Sequence, residues 1–315
     1  MGDDKGPVGD NKGPVGDKVT KNVIDSTTKK EETSPDVPDV LISTSRTLAL
    51  GETLKTFSGT TTWSYTSPVV KITGSGTTVD GSGTLIKLAP GANVSLKTGS
   101  GPLLQASEAT VTANEAVKVE DNALLQATAP LISLLNGSKM TSNSDLVKLV
   151  KDARLVGTVP SDALVKLNAS TLNVTGSLFN VAGGSQLTVT GITGSLVSLA
   201  NGSTLSISNG ALVAVSGGSV FTLTGGSLGV FGAGTNALNI TNNTSLCLGC
   251  SITTSIPNFS YPVLLTNGAL ALKVVVTPGF VPFQGLSGTN TVNVSGASGA
   301  VLKLDGPTSS VALGP

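Results

Sequence analysis

The chain contains no histidine among its 315 residues. This absence excludes Ser-His-Asp and Cys-His nucleophilic machinery in their usual forms and removes the commonest metal ligand. Cysteine is almost as scarce, since Cys247 and Cys250 form a single Cys-x-x-Cys. A zinc site needs two further soft ligands and a thioredoxin-like site needs a βαβ context, so we favour a local disulfide in an oxidising compartment. We predict no metal and no cofactor.

Charge is missing from a long part of the chain. No Asp, Glu, Lys or Arg occurs between Leu167 and Leu272, whereas fifteen charged residues lie in the first 40. The 19 basic and 19 acidic residues balance, which gives no indication of nucleic-acid binding. No apolar run is long enough to span a membrane. A hundred uncharged residues of high β-propensity should aggregate unless they fold tightly, pack against copies or carry sugars.

Aromatic residues are few, and three of the ten cluster near the start of the chain, at Phe57, Trp63 and Tyr65. Large flat rings suit an atypical end turn, which must cover an open edge and the end of a core. Stacking of Trp63 on a carbohydrate is the alternative interpretation.

A short apolar sequence motif, which we call the phrase, recurs about every 16 residues. Each copy has an apolar-x-apolar pair, a Gly-Ser or similar turn, and a second pair, which is the alternation typical of strands. The phrase begins at Val70, Ile86, Leu104, Val117, Ile132, Val147, Val165, Phe179, Val197 and Val213. We predict an all-β fold, a parallel β-helix (β-solenoid) with turns of about 16 residues, in which Val197 lies directly over Val213.

Helical and sandwich folds fit the pattern less well. Apolar residues do not recur at three and four, and 39 glycines are scattered through the chain. Sandwiches and barrels usually space their strands with varied loops. The phrase therefore favours stacked turns that bury their apolar faces against each other.

The pattern divides the chain into four parts. These are a polar flexible tail (1–40), an N-terminal end turn (41–69), a regular solenoid (70–245) and an irregular C-terminal solenoid or cap (246–315). The tail is either a plain linker or a segment that adds a strand to another copy's open edge. In the second case Val19, Val23 and Ile24 are the apolar anchors.

Two outward-facing sets of charged side chains follow from the predicted stacking. A basic stripe contains Lys71, Lys87, Lys118, Lys148 and Lys166, with Lys71 predicted beside Lys87 and Lys148 beside Lys166. It either solvates the surface and prevents lateral pairing, or binds an anionic polysaccharide or a neighbouring subunit. Glu108 and Asp121 are expected to stack in adjacent turns, but nothing else converges on them as an acid-base pair would need.

Threonines and serines, together with Asn239, form a further outward array, of the kind that ice-binding solenoids present. Its members are the pairs Thr188/Thr190, Ser206/Ser208, Thr222/Thr224 and Asn239/Thr241.

Two phrases resemble filamentous-haemagglutinin-like and autotransporter-passenger proteins of bacterial surfaces. They read NGSTLSISNGALVAVSGGSVFTLTGGSL and NALNITNNTSL, and the resemblance covers residues 70–245. It implies a right-handed parallel β-helix, secretion, and an adhesive or fibre-forming role. The period near 16 departs from the larger turns usual in that group, and the resemblance supplies no catalytic residue.

We therefore expect a non-enzymatic extracellular structural protein, either a self-assembling surface fibre subunit or an adhesin stalk. Its expected partners are copies of itself, with a surface polysaccharide as a second partner. A ligand-binding solenoid for ice or polysaccharide is the alternative. An enzyme that degrades polysaccharides through Glu108 or Asp121 is disfavoured, because the chain has so few charges that could converge on a substrate.

Overall fold

The fold is seen in a computed structural model that describes most of the chain after the tail. The described residues are 37–159, 162–190, 195–241, 252–255, 263–266, 273–276, 283–285, 289–295, 301–305 and 310–314. They form strands joined by turns, and no membrane-spanning helix is found among them. The predicted tail anchors (Val19, Val23, Ile24) and the predicted disulfide (Cys247, Cys250) lie outside these residues.

The strands form four sheets, which we name A, B, C and D, and the chain visits them in strict rotation as far as β26. Sheet A contains β1 (Val40–Ile42), β5 (Val70–Thr73), β9 (Leu104–Ser107), β13 (Ile132–Leu135), β17 (Ala163–Asn168), β21 (Ser195–Ala200), β25 (Ser227–Phe231) and β30 (Phe283–Gly285). Sheet B contains β2 (Arg46–Leu48), β6 (Thr78–Gly81), β10 (Thr110–Ala113), β14 (Lys139–Ser142), β18 (Thr171–Val174), β22 (Thr204–Ile207), β26 (Thr235–Thr241), β31 (Thr289–Ser295) and β27 (Ile252–Ser255).

The other two sheets continue the rotation. Sheet C contains β3 (Lys55–Phe57), β7 (Thr84–Leu88), β11 (Glu115–Val119), β15 (Val147–Leu149), β19 (Phe179–Val181), β23 (Val213–Ser216), β32 (Leu302–Asp305) and β28 (Val263–Thr266). Sheet D contains β4 (Thr60–Trp63), β8 (Asn93–Leu96), β12 (Leu124–Ala127), β16 (Arg154–Thr158), β20 (Gln186–Thr190), β24 (Val220–Thr224), β33 (Ser310–Gly314) and β29 (Lys273–Val276). The pairings are parallel, except that β27 runs antiparallel to β31.

The parallel β-solenoid is confirmed, but the predicted turn length is wrong. About six turns stack about 32 residues apart, so one phrase makes only half a turn. Val197 lies in β21 of sheet A and pairs with Val165, whereas Val213 lies in β23 of sheet C and pairs with Phe179. Each phrase supplies two strands, and two phrases are needed before the chain returns above its starting point.

The interior is one continuous core of inward-facing aliphatic side chains. Leu199 and Ile207, which the phrase places inside, are at most 1% exposed, so that part of the prediction is confirmed. Alternate residues of each strand face this core, as the period of two requires. At the later turns Phe231 packs edge-to-face on Phe283, with ring centroids 6.1 Å apart.

The corner between sheets A and B, and the matching corner between C and D, follow one chemical rule. One or two residues take a positive φ, and a small buried residue follows, as in Asn136 (φ 55), Gly137 (φ 79) and Ser138. The Ser138 hydroxyl donates to the carbonyl of Leu135 at 2.7 Å, which closes the bend. Asn and Gly tolerate this backbone conformation, which explains why the Asn-Gly-Ser triplet recurs.

Asparagine replaces serine at this corner in the later turns. Asn236 is fully buried, and its Oδ1 accepts from the backbone amides of Gly202 and Ser203 at 3.2 and 3.0 Å. Its Nδ2 donates to the carbonyls of Gly232 and Ala233 and to the side chain of Asn290 in the next strand. One side chain therefore holds three successive turns together at the corner.

The strand order changes at the C-terminal end of the stack. In sheet A the order follows the chain, since β30 pairs with β25. In sheet B, β31 lies directly on β26, and the earlier strand β27 lies outside it. In sheets C and D, likewise, β32 and β33 lie directly on β23 and β24, and the earlier strands β28 and β29 lie outside them.

Candidate functional site

The predicted basic stripe is divided between two sheets. Lys87, Lys118 and Lys148 occupy one outward column of sheet C on the adjacent strands β7, β11 and β15. Lys71 and Lys166 lie on sheet A, so the expected neighbours Lys71/Lys87 and Lys148/Lys166 do not form. The error follows from the turn length, because successive phrases alternate between the two sheets.

Glu120 forms ion pairs with the first two lysines of the column, Lys87 and Lys118. Its two carboxylate oxygens lie 2.9 Å from the Lys87 Nζ and 3.0 Å from the Lys118 Nζ. Burial raises the pKa of Glu120, but the hydrogen bonds and charges of the two ammonium groups outweigh it, and the pKa lies below its ordinary value.

Glu115 lies at the opposite end of β11 and forms an ion pair with the third lysine of the column, Lys148. It is 5% exposed, and its Oε1 lies 3.2 Å from the Lys148 Nζ. The Thr84 hydroxyl donates to its other carboxylate oxygen at 2.8 Å. A buried carboxylate needs such partners, since leaving it unpaired would cost several kcal/mol.

Asp145 lies one turn further along the same corner. Its Oδ1 accepts from the Ser177 amide at 2.9 Å, and its Oδ2 accepts from the Asn180 side chain at 2.7 Å. The Lys148 ammonium lies 3.9 Å from that Oδ2. Asp145 therefore ties its own turn to the next one.

These groups form what we call the sheet C charged cluster. Its members are Lys87, Lys118, Lys148, Glu115, Glu120 and Asp145. Three ammonium groups face three carboxylates, so the cluster is neutral and its members already satisfy each other. A polyanion would have to displace these carboxylates to reach the lysines. In the described part of the chain, no three carboxylates are placed so that they could hold one metal ion together.

Glu108 and Asp121 do not stack as expected. Glu108 takes a φ of 58° at the bend after β9, and Asp121 follows β11 within the same turn. Asp121 instead lies 3.2 Å from the ammonium of Lys151, which is its neighbour in the next turn. The half-turn phrase again explains why the expected pair is not formed.

The end-turn aromatics belong to the first described turn. Trp63 and Tyr65 pack edge-to-face with ring centroids 4.9 Å apart, and the Trp63 indole donates to the Ser67 carbonyl at 2.9 Å. Because Trp63 is only 7% exposed, little of its ring is left for a sugar to stack on. Phe57 is buried too, with the Lys55 ammonium 5.3 Å from its ring centroid.

The hydroxyl array also divides. Thr188 pairs with Thr222 on sheet D, whereas Ser206 pairs with Asn239 on sheet B. Sheet B carries a longer uncharged set, which we call the sheet B polar column. In register it consists of Thr112, Thr141, Asn173, Ser206, Asn239 and Asn293. The Asn293 amide donates to the Asn239 side chain at 2.9 Å. Its signal in the sequence was a polar residue recurring once in every second phrase.

Comparisons with protein-family models, with curated proteins and with solved structures gave no match. The chain is therefore characterised by its geometry, as a parallel β-solenoid of about six turns.

Proposed function

We propose that this chain is a non-enzymatic structural protein of the cell surface that assembles with copies of itself, as a fibre subunit or an adhesin stalk. The observation that carries the proposal is the character of the first turn. Among the described residues, β1–β4 have a strand partner on one side only, so all four sheets present an unpaired edge there. The large hydrophobic residues that are exposed in the described part, Val37, Leu41 and Leu50, all lie at this end.

An edge of this kind favours association with another strand. Its unpaired N–H and C=O groups are a template for further pairing, and exposed apolar side chains add a driving force. A second solenoid has strands of the same rise and direction, so stacking copies end to end would continue the four sheets. The polar tail is the other source of an added strand, through Val19, Val23 and Ile24 of a neighbouring copy.

The surface chemistry supports a structural role over catalysis. The carboxylates of the sheet C charged cluster are engaged by lysines, and the chain has no histidine. An extracellular location fits the disulfide proposed for Cys247 and Cys250, which would persist in an oxidising compartment.

Negative-stain microscopy and sedimentation at micromolar concentration test this proposal. We expect end-to-end filaments of the wild-type chain, and a monomer for the double variant Leu41→Lys/Leu50→Lys, which charges the first turn. Leu135→Lys is the matched control, because Leu135 is an outward residue of β13 in the middle of the stack. Isolated wild-type monomers, or filaments that survive the double substitution, would refute end-to-end assembly through this edge.

A separate variant tests the tail. Replacing Val19, Val23 and Ile24 by lysine leaves the solenoid sequence unchanged. Shorter or fewer filaments would support strand addition by the tail, and unchanged filaments would show that the first-turn edge is sufficient.

The sheet B polar column supports the alternative, a solenoid that binds ice or a neutral polysaccharide. Its six members are uncharged, lie in register, and repeat at the roughly 4.8 Å spacing of neighbouring strands. Thermal hysteresis and glycan-array binding by the monomer test this function. Asn173→Lys should abolish the signal while Thr188→Lys on sheet D leaves it unchanged; equal effects of the two variants would exclude sheet B as the binding face.

A further inference from the structure

The last two described strands fill a slot whose walls come from earlier parts of the chain. In sheet C, β32 pairs with β23 on one side and with β28 on the other. In sheet D, β33 pairs in the same way with β24 and β29. Both walls precede the inserted strands in sequence. Among the described residues, the outer strands β28 and β29 pair only with β32 and β33, so the inserted half turn joins them to the stack.

The register shows that the slot is one strand wide in each sheet. Leu302 lies between Val213 and Val263, and Lys303 lies between Ala214 and Leu264. Removal of β32 would leave the edge of β23 with unpaired backbone groups and would take away the strand through which β28 joins sheet C. The edge of β23 therefore favours one more parallel strand, on which β28 can pack in turn.

The inserted strands carry much of the apolar packing at this end. Leu302, Leu304, Val311 and Leu313 are at most 1% exposed. Their outward neighbours, Lys303 and Ala312, are partly exposed and form no described link to the walls beyond the backbone ladders. The half turn therefore fits the slot through its backbone ladders and its buried apolar side chains, and a second copy of this chain carries the same half turn.

We propose that β32 and β33 are a donor half turn that a second copy of this chain accepts between its own β23–β24 and β28–β29. The donor enters with the same register that it has within one chain, so the acceptor gains the same ladders and the same buried side chains. Six residues separate Ser295, the last of β31, from Leu302, and an extended stretch of that length spans roughly 20 Å, or about four strand spacings. Two stacks that meet at these ends can therefore exchange their half turns reciprocally, which is a closed arrangement.

The biological role of this exchange rests on the proposed self-assembly, whereas the exchange itself is measured independently. The experiment uses the full chain with Cys247→Ser and Cys250→Ser, so that added cysteines are the only thiols. One chain carries Ala214→Cys and the other carries Lys303→Cys. These positions are direct partners on adjacent parallel strands, which lie close enough for a disulfide.

We expect a disulfide-linked dimer after the two chains are mixed, incubated at micromolar concentration and oxidised. The control mixes Gln105→Cys with Lys303→Cys and should give at least tenfold less dimer, because Gln105 is an outward residue of sheet A and is not a partner of Lys303. A chain with Ala214→Cys and Lys303→Cys together should form the bond within itself, and prior oxidation should then prevent exchange. A mixed dimer no more abundant than the control would overturn the proposal.

The readout separates this inference from the proposed function. Filaments seen by microscopy without the Ala214–Lys303 cross-link would refute the donor half turn and leave assembly through the first turn intact. A specific cross-linked dimer without filaments would support the donor half turn while refuting the fibre.

Discussion

Replacement of Asn236 by alanine should be the most damaging single change to the corner stack. The substitution leaves the amides of the exposed Gly202 and the buried Ser203 without the acceptor that they share. It also removes the donor to two carbonyls at the bend and to Asn290. Loss of its acceptor costs the buried Ser203 amide about 1–3 kcal/mol, and the lost bond to the buried Asn290 side chain adds to this, so we expect a loss of roughly 3 kcal/mol in the free energy of unfolding.

Two matched variants control this experiment. Ser219 is fully buried at the equivalent corner half a turn away, but its hydroxyl has no hydrogen-bond partner in the described part of the chain. Ser219→Ala should therefore change the stability by less than about 0.5 kcal/mol. Asn236→Ser should cost less than alanine, because Ser203 occupies this corner one turn earlier and bonds both the turn before it and its own bend.

Urea unfolding followed by circular dichroism gives the free energies, and amide hydrogen exchange gives the location. We expect faster exchange at Gly202 and Ser203 in Asn236→Ala, with little change in the first turns, because a solenoid transmits stability mainly to its neighbours. The reasoning is refuted if Asn236→Ala and Ser219→Ala cost the same, or if the two amides keep their protection.

Three further predictions concern the charged cluster and the tight corners. The pKa of Glu120 falls on folding, so its stabilising effect is complete above the ordinary value of 4.5 and is lost as the pH falls through the lower folded pKa. The unfolding free energies of wild type and Glu120→Gln in urea should therefore converge as the pH is lowered from 4.5. Lys148→Met should cost about 1–3 kcal/mol in urea unfolding, because it leaves buried carboxylates without their ammonium partner, and Lys71→Met should cost less than 0.5 kcal/mol. Gly210→Ala should reduce soluble yield and thermal stability, since its Cβ would lie 2.3 Å from neighbouring backbone. Its cost in the free energy of unfolding should exceed that of Gly91→Ala, which is about 1 kcal/mol because that substitution strains only a positive φ.

The strands themselves could be predicted from the sequence, because the period of two is a local property. Every predicted phrase start lies in a strand; Val70 and Ile132 begin strands of sheet A, and Val147 and Val213 begin strands of sheet C. The prediction of which side chains face the core was correct for the same reason. A side chain's face depends only on its own strand, not on how many strands complete a turn.

The turn length could not be predicted, because closure depends on the sum of the bends at the corners. The two half turns use the same phrase, so a period of 16 and a period of 32 give the same local pattern. The alternation of the outward residue was the available signal: Lys87, Lys118 and Lys148 recur in every second phrase and occupy one column. Predictions that depended on which phrases are neighbours, such as the Glu108/Asp121 pair, were therefore the ones that were wrong.

The two halves of the stack avoid repulsion between like side chains of one column in different ways. Identical side chains in one column repeat about every 4.8 Å, where two like charges in water repel by about 1 kcal/mol. The Lys87–Lys118–Lys148 column therefore needs carboxylates beside it, and it has them in Glu115 and Glu120. An asparagine column needs no such partners, because one amide can donate to its copy and accept from the next.

Asparagine columns explain how a hundred uncharged residues can still have satisfied polar faces. The Asn239–Asn293 bond is formed on the outside of sheet B, and the Asn236–Asn290 bond is formed inside the corner. Asn236 also accepts from the amides of Gly202 and Ser203 in the turn before it, so one neutral side chain bridges the turns on both sides without any compensating charge.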